Sequence, residues 1–199
     1  MSNPFEGLQG AESVTQEARE QRLEHDLRKE IGEVFNHLVA SSIGEGEQGI
    51  VVSFNSPAFA GICAKYQKLG YDGTEFRRLQ EIYAAGKQVP RPYFEMSEKN
   101  MFVMERVPEA QNLEELMKKG YKFTREIAED VEEIAKDFCE DFNHNDFFPR
   151  NILLESPVIE NGIVISGTPI IIDFNKSAQG KSDEYQRVKG WFRNRMATS

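Results

Sequence analysis

The sequence predicts an α+β fold in two parts, an antiparallel sheet carrying one helix and then a reduced, mainly helical part. Three observations predict it. Short β-branched and aromatic runs punctuated by glycine, proline and asparagine fill most of residues 39–107. A single amphipathic helix interrupts them at Thr74–Ala85, and from residue 108 onward the longest periodic pattern is helical. With 199 residues the chain has room for one domain with appendages. Its 24 Lys+Arg against 33 Asp+Glu leave a net charge of −9, which argues against a broad footprint on nucleic acid or anionic lipid. No run approaches the roughly 20 apolar residues of a membrane span, and the N-terminus lacks the basic-then-apolar order of a signal peptide. Cys63 and Cys139 are too few and too far apart for a disulfide framework or a zinc site. The expectation is a cytoplasmic protein with no membrane and no direct nucleic-acid partner.

Taken in order, residues 1–13 read as a tail. Residues 14–38 follow as a charged amphipathic helix whose stripe is Leu23, Leu27, Ile31, Val34, Phe35 and Leu38. Strands are expected around Ser42-Ile43, Ile50–Phe54 and Phe59–Tyr66. The helix at Thr74–Ala85 carries Phe76, Leu79, Ile82 and Tyr83 on one side and stops at Gly86. Val89-Pro90-Arg91-Pro92 is an extended connector, and Tyr93–Met96 with Met101–Val107 make a hairpin. A short helix at Leu113–Lys119 precedes a long one capped by Thr124, with Ile127, Val131, Ile134, Ala135, Phe138 and Phe142 on its apolar face. A polar-aromatic loop from His144 leads into Ile152-Leu153-Leu154. After it come a Pro/Gly-rich excursion, the apolar strand Ile170–Ile172, and a terminal helix carrying Tyr185, Val188, Trp191 and Phe192.

Four elements carry chemistry. Gly44-Glu45-Gly46-Glu47-Gln48-Gly49-Ile50-Val51 fits G-x-G-x-x-G-x-V, a pattern that lets backbone approach a phosphate, and equally a glycine-rich hairpin turn. Because strand residues follow the glycines, a nucleotide lid fits better than a dinucleotide turn, which needs a helix there. Lys65, alternating with apolar residues, can hold phosphate oxygens if an acid pairs with it. Glu75, ten residues on, is the favoured partner and Glu81 the rival. His144-Asn145-Asp146-Phe147-Phe148-Pro149-Arg150-Asn151 fits H-x-D-x-x-x-x-N, and Asp173 closes the apolar strand at 170–172. Asp146 suits proton acceptance, while Asn151 and Asp173 offer hard oxygens to Mg²⁺ bridging ATP phosphates. Together they describe a kinase.

The order of these motifs resembles the protein-kinase-like superfamily, and within it the RIO-type atypical serine/threonine kinases. The resemblance covers roughly residues 40–195, with Glu75-Phe76-Arg77-Arg78-Leu79 through Val89-Pro90-Arg91-Pro92 its most specific piece. It implies a bilobal fold with an N-lobe at 39–107 and a reduced C-lobe at 108–199 lacking the late substrate-binding helices. By the same resemblance, Met104, Glu105 and Val107 lead into an adenine contact, and Asp173 could itself accept phosphate in an ATPase cycle. The implied partner is a protein substrate, or the chain itself through autophosphorylation. Departures from the family are Glu47, Gln48 and Gly49 in the phosphate loop, a short Lys65-to-Glu75 gap, and Asn175 in place of a glycine. Two alternatives are a small-molecule kinase of the aminoglycoside or sugar type, and a nucleotide-binding pseudokinase that engages a protein partner.

Overall fold

A computed structural model of the protein describes residues 40–45, 49–54, 57–68 and 70–197. The expected tail and first amphipathic helix, together with Gly46, Glu47 and Gln48 of the glycine-rich turn, lie outside the described residues.

The first part is a five-stranded antiparallel sheet of β1 (Ala40–Glu45), β2 (Gly49–Phe54), β3 (Ile62–Gln67), β4 (Pro92–Met96) and β5 (Met101–Glu105), in the order β1-β2-β3-β5-β4. Phe59, expected to open a strand, instead ends a 3-10 turn at Pro57–Phe59, and β3 begins only at Ile62. Helix α1 (Thr74–Ala84) starts where the Asp72 carboxylate accepts the Thr74 N–H at 2.8 Å, and ends at Gly86, whose φ is 78°. Strand pleating sends alternate residues to opposite faces. Lys65 stands opposite Val51 and Phe102 on the face that α1 covers, where the Phe76 and Phe102 rings lie 5.5 Å apart. Ile62, Ala64 and Tyr66 face the other way. Gly49 is required by close approach, because a Cβ there would meet the Tyr66 carbonyl oxygen at 2.2 Å.

The second part holds α2 (Leu113–Lys118) and α3 (Arg125–Asp141), with the short strands β6 (Gln111–Asn112), β7 (Lys122–Phe123) and β8 (Phe142–Asn143) around them. After these come β9 (Ile152–Glu160), β10 (Ile163–Ile171), β11 (Ala178–Gln179) and a final short helix α4 (Val188–Phe192). Asn112 caps α2 by accepting from the Glu114 and Glu115 amides, and the Thr124 hydroxyl accepts from Ile127 to open α3. Ile127, Val131, Ala135 and Phe138 are buried, as is Phe142 beyond the helix end. Ile134 is only partly buried against this core.

The Pro/Gly-rich stretch is not an irregular excursion. It is the long antiparallel hairpin β9–β10, part of a four-stranded sheet ordered β6-β9-β10-β7. Asn161 and Gly162 turn the chain with φ of 50° and 80°, both left-handed, which matches strand twist in a two-residue hairpin loop. Its register shifts on either side of Ser166, and there Gly167 (φ 147°) lies close against Pro157, a residue with no N–H to offer the ladder. The terminal helix is likewise shorter than expected, a 3-10 turn at Glu184–Arg187 running into α4.

One hydrophobic cluster joins both parts, taking in Phe76, Leu79, Ile82 and Phe102 with Leu116, Val131, Phe138, Phe174 and Phe192. The connector after α1 is tied to the second part as well. Lys87 Nζ donates to the Asp137 carbonyl at 2.8 Å and pairs with the carboxylates of Asp137 (3.1 Å) and Asp141 (2.7 Å). The Ile171 N–H donates to the Gln88 carbonyl at 3.1 Å. Burial disfavours the Lys87 charge, but the two aspartates outweigh it and hold the amine above its usual range.

Candidate active site

The α1-covered face of the sheet brings Lys65 to a buried acid. Lys65 Nζ lies 2.5 Å from Glu75 Oε1 and 3.0 Å from Asp173 Oδ1, so one amine joins β3, α1 and the segment after β10. Gln67 Nε2 donates to the other Glu75 oxygen at 3.1 Å. Glu81, the rival partner, instead pairs with Arg78 on the exposed side of α1. Burial works against the Lys65 charge, yet Glu75 and then Asp173 hold its pKa above the lysine norm. Burial pushes Glu75 up, and Lys65 draws it back.

Asp173 has a left-handed backbone, φ 66°, which turns its carboxylate out of the strand line toward Lys65. Asn175 Nδ2 donates to the same Asp173 Oδ1 at 2.6 Å, while Asn175 Oδ1 is buried without a hydrogen-bond partner. The preceding Ile172 N–H donates to the Asn151 carbonyl at 3.0 Å, and Asn151 Nδ2 donates to the Asp146 carbonyl at 2.7 Å. Asn151 therefore binds the two acidic segments together, and among the described residues no hydrogen bond takes its side-chain oxygen.

Asp146 faces two cations. Arg150 reaches Oδ1 at 2.6 Å and Lys176 stands 3.6 Å from Oδ2. Partial burial would raise the Asp146 pKa, but Arg150 above all, with Lys176, holds it below the ordinary aspartate value. The loop carrying it is fixed from beneath. His144, fully buried among Phe138, Phe147 and Phe174, meets the Ile172 carbonyl through Nε2 at 3.0 Å, and burial keeps its pKa low. Glu184 accepts the backbone N–H groups of His144 (2.9 Å) and Asn145 (3.0 Å). Nothing in the sequence marks Glu184 for this, since it sits in a polar stretch forty residues after His144. Arg150 and Lys176 gave no signal either.

The glycine-rich segment and the expected adenine edge are more loosely joined to this cluster. Gly44 and Glu45 lie on β1, and Gly49 and Val51 on β2, with Val51 opposite Lys65. The Glu45 side chain turns to the surface, pairing with Lys68 at 2.6 Å. Met104 stands opposite Cys63. Glu105 donates its amide to the Arg91 carbonyl and accepts the Arg91 amide on its carboxylate, and Val107 lies just past β5. Burial pushes the Cys63 thiol up to about 12, so it stays protonated.

A five-stranded sheet in the order 1-2-3-5-4, with α1 on one face and a second part built on α3, belongs to the kinase-like class of proteins. Solved structures share this fold, among them two of one kinase. The Rio2 kinase from Chaetomium thermophilum superimposes with a TM-score of 0.57 at 18% identity, covering 83% of this chain and 61% of that one. Its ADP/Mg²⁺-phosphoaspartate complex gives 0.56 at 18% identity, covering 83% and 55%. This chain thus spans little more than half the length of those kinases, and the RIO-like fold expected from the motifs is what it adopts. A WaaP structure in complex with acyl carrier protein gives 0.48 at 16% identity, covering 80% and 70%. No curated protein matches the chain. The chain belongs to the lipopolysaccharide kinase (Kdo/WaaP) family, whose model matches residues 66–190. That span opens one residue after Lys65 and contains Glu75, Asp146, Asn151, Asp173 and Glu184. Among the described residues no helix is long and apolar enough to cross a membrane.

Proposed function

We propose that this chain is an ATP- and Mg²⁺-dependent phosphotransferase that phosphorylates a hydroxyl of an acidic sugar acceptor of the lipopolysaccharide kind. The observation that carries the phosphotransfer is the single Lys65 amine held between Glu75 and Asp173. Lys65 would neutralise phosphate oxygens, oriented by Glu75. Asp173 and Asn151 would hold Mg²⁺. They fit it, since Asp173 Oδ2 and Asn151 Oδ1 are hard oxygens left over from the hydrogen bonds above, and the orphaned Asn175 oxygen lies in the same segment. The ion, when bound, would offset charge on the transferring phosphoryl group. Asp146, kept ionised by Arg150, would take the acceptor proton as the hydroxyl oxygen bonds the γ-phosphorus and the bond to the ADP oxygen breaks. Gly44, Gly46, Gly49 and Val51 would cover the phosphates, and Met104, Glu105 and Val107 would edge the adenine. The acidic acceptor is supported by family membership and by the half-exposed cations Arg150 and Lys176 flanking Asp146.

A second reading is a RIO-like serine/threonine kinase or autophosphorylating ATPase, favoured by the Glu75-to-Pro92 stretch. Incubating the chain with radiolabelled ATP and Mg²⁺ separates the readings. Label on deacylated lipopolysaccharide supports the first, and label on protein supports the second. A hydroxylamine-labile label on Asp173 would mark the ATPase cycle. Nucleotide binding with no transfer would leave only a binding module.

A further inference from the structure

The ion pair on Asp146 obstructs the role given to that carboxylate. An acceptor hydroxyl must reach Asp146, yet the Arg150 guanidinium already donates to Oδ1 at 2.6 Å and Lys176 faces Oδ2 at 3.6 Å. This pair is no buried structural bridge. The Arg150 side chain is 47% exposed against 17% for Asp146, and a pair so open to water is weakly held. The Arg150 backbone is anchored, whereas its tip rests on a surface over which it can turn. Asn112 Nδ2 donates to the Arg150 carbonyl at 2.5 Å while the Asn112 side-chain oxygen caps α2. The guanidinium carbon lies 4.5 Å from the centre of the exposed Phe148 ring, a flat face that suits a planar cation in more than one orientation.

We propose that Arg150 selects the acceptor by exchange: the acceptor's carboxylate takes the guanidinium from Asp146 and so bares Oδ1 for the acceptor hydroxyl. This deepens the acidic-acceptor reading above and rests on it. The chemistry of the two partners favours the exchange. The contact to Asp146 runs through Nη2, whereas the guanidinium fork can give a substrate carboxylate two parallel N–H bonds. One carboxylate replaces another, so no cation is left bare, and Lys176 still faces Asp146. With Arg150 turned away, the hydroxyl donates to Oδ1. Its proton passes there as its oxygen bonds the γ-phosphorus and the bond to the ADP oxygen breaks. A neutral sugar leaves Arg150 in place and meets a blocked, weaker base. Recognition of the acceptor and release of the base are thus one event.

The test uses the full chain with a Kdo methyl glycoside and with its methyl ester, two sugars that differ by one negative charge. In Mg²⁺ and a non-hydrolysable ATP analogue, calorimetry should show the acid binding about 10–10²-fold tighter than the ester. Arg150→Gln is expected to bring that ratio near one, while Arg125→Gln, at an exposed cation on α3, leaves it unchanged. With ATP, Arg150→Gln is expected to lower kcat/KM on the acid and raise it on the ester, a crossing that a merely structural arginine would not produce. A preference that survives Arg150→Gln, or an equal loss on both sugars, overturns the exchange. Failure of the underlying reading looks different. Arg150-dependent binding of the acid with no label on the sugar keeps the exchange of partners and sinks the transfer. Label on the acid with a preference indifferent to Arg150 keeps the transfer and sinks the exchange. Binding of neither sugar sinks both.

Discussion

Removing the Lys65 amine would leave Glu75 buried beside Asp173 with only Gln67 for support. Breaking a buried ion pair from one side costs about 3–5 kcal/mol. Lys65→Met is therefore expected to lower unfolding stability by roughly that amount, and adding Glu75→Gln should restore much of it without restoring phosphotransfer. Urea unfolding of the two variants checks this. Asp146→Asn is expected to reduce kcat by about 10²–10⁴-fold, the usual contribution of a positioned proton acceptor, with the unfolding midpoint little changed. Since Arg150 keeps the Asp146 pKa low, Arg150→Ala should move the acidic limb of the pH–rate profile to higher pH. His144 bears on stability instead. Its folded pKa lies below the unfolded value of 6.5, so its contribution is present above that pH and is lost as pH falls toward the folded value. Thermal stability should thus fall from pH 7 toward pH 5, and less so in His144→Gln.

Among the elements, the β9–β10 hairpin is the clearest test of local chemistry. At Gly162 an added Cβ would meet nothing within 4 Å, so the cost of Gly162→Ala is purely that of a left-handed backbone, about 1–2 kcal/mol. The expected result is that loss in chemical denaturation with nucleotide binding intact. This hairpin also shows where the sequence speaks and where it falls silent. The Asn161-Gly162 pair is a strong hairpin signal, but Pro157, Pro169 and Gly167 around it read as loop, because a bulge that accommodates them is a property of two strands together. The first sheet was legible because its β-branched and aromatic runs are bounded by turn-forming residues, even though Gly44 and Gly49 themselves lie within β1 and β2. The site divides the same way. Lys65, Glu75, Asp146, Asn151 and Asp173 announce themselves by spacing, and the structure joins them by hydrogen bonds. Glu184, Arg150 and Lys176 act through contacts that only the folded chain creates, and an acidic residue near the C-terminus looks like any solvated one.

Taken whole, the molecule is held as one body by the shared core and by Lys87. Methionine at position 87 would keep the apolar stem while leaving Asp137 and Asp141 without their amine. Lys87→Met is expected to lower Tm and to speed amide exchange in α1 and in Val89–Pro92, as hydrogen-exchange mass spectrometry would register. Because Phe76 and Phe102 belong to the same cluster as Phe138 and Phe192, calorimetry should show a single transition for both parts. The anchoring of the connector at Lys87 and Gln88 also constrains how the two parts can move against each other. With the end of α1 fastened to the second part, any motion of the first part would be a rotation about that end. Lys65 and Glu75, both in the first part, would then move as a pair, and the strain of any such rotation would fall on the contact between Lys65 and Asp173.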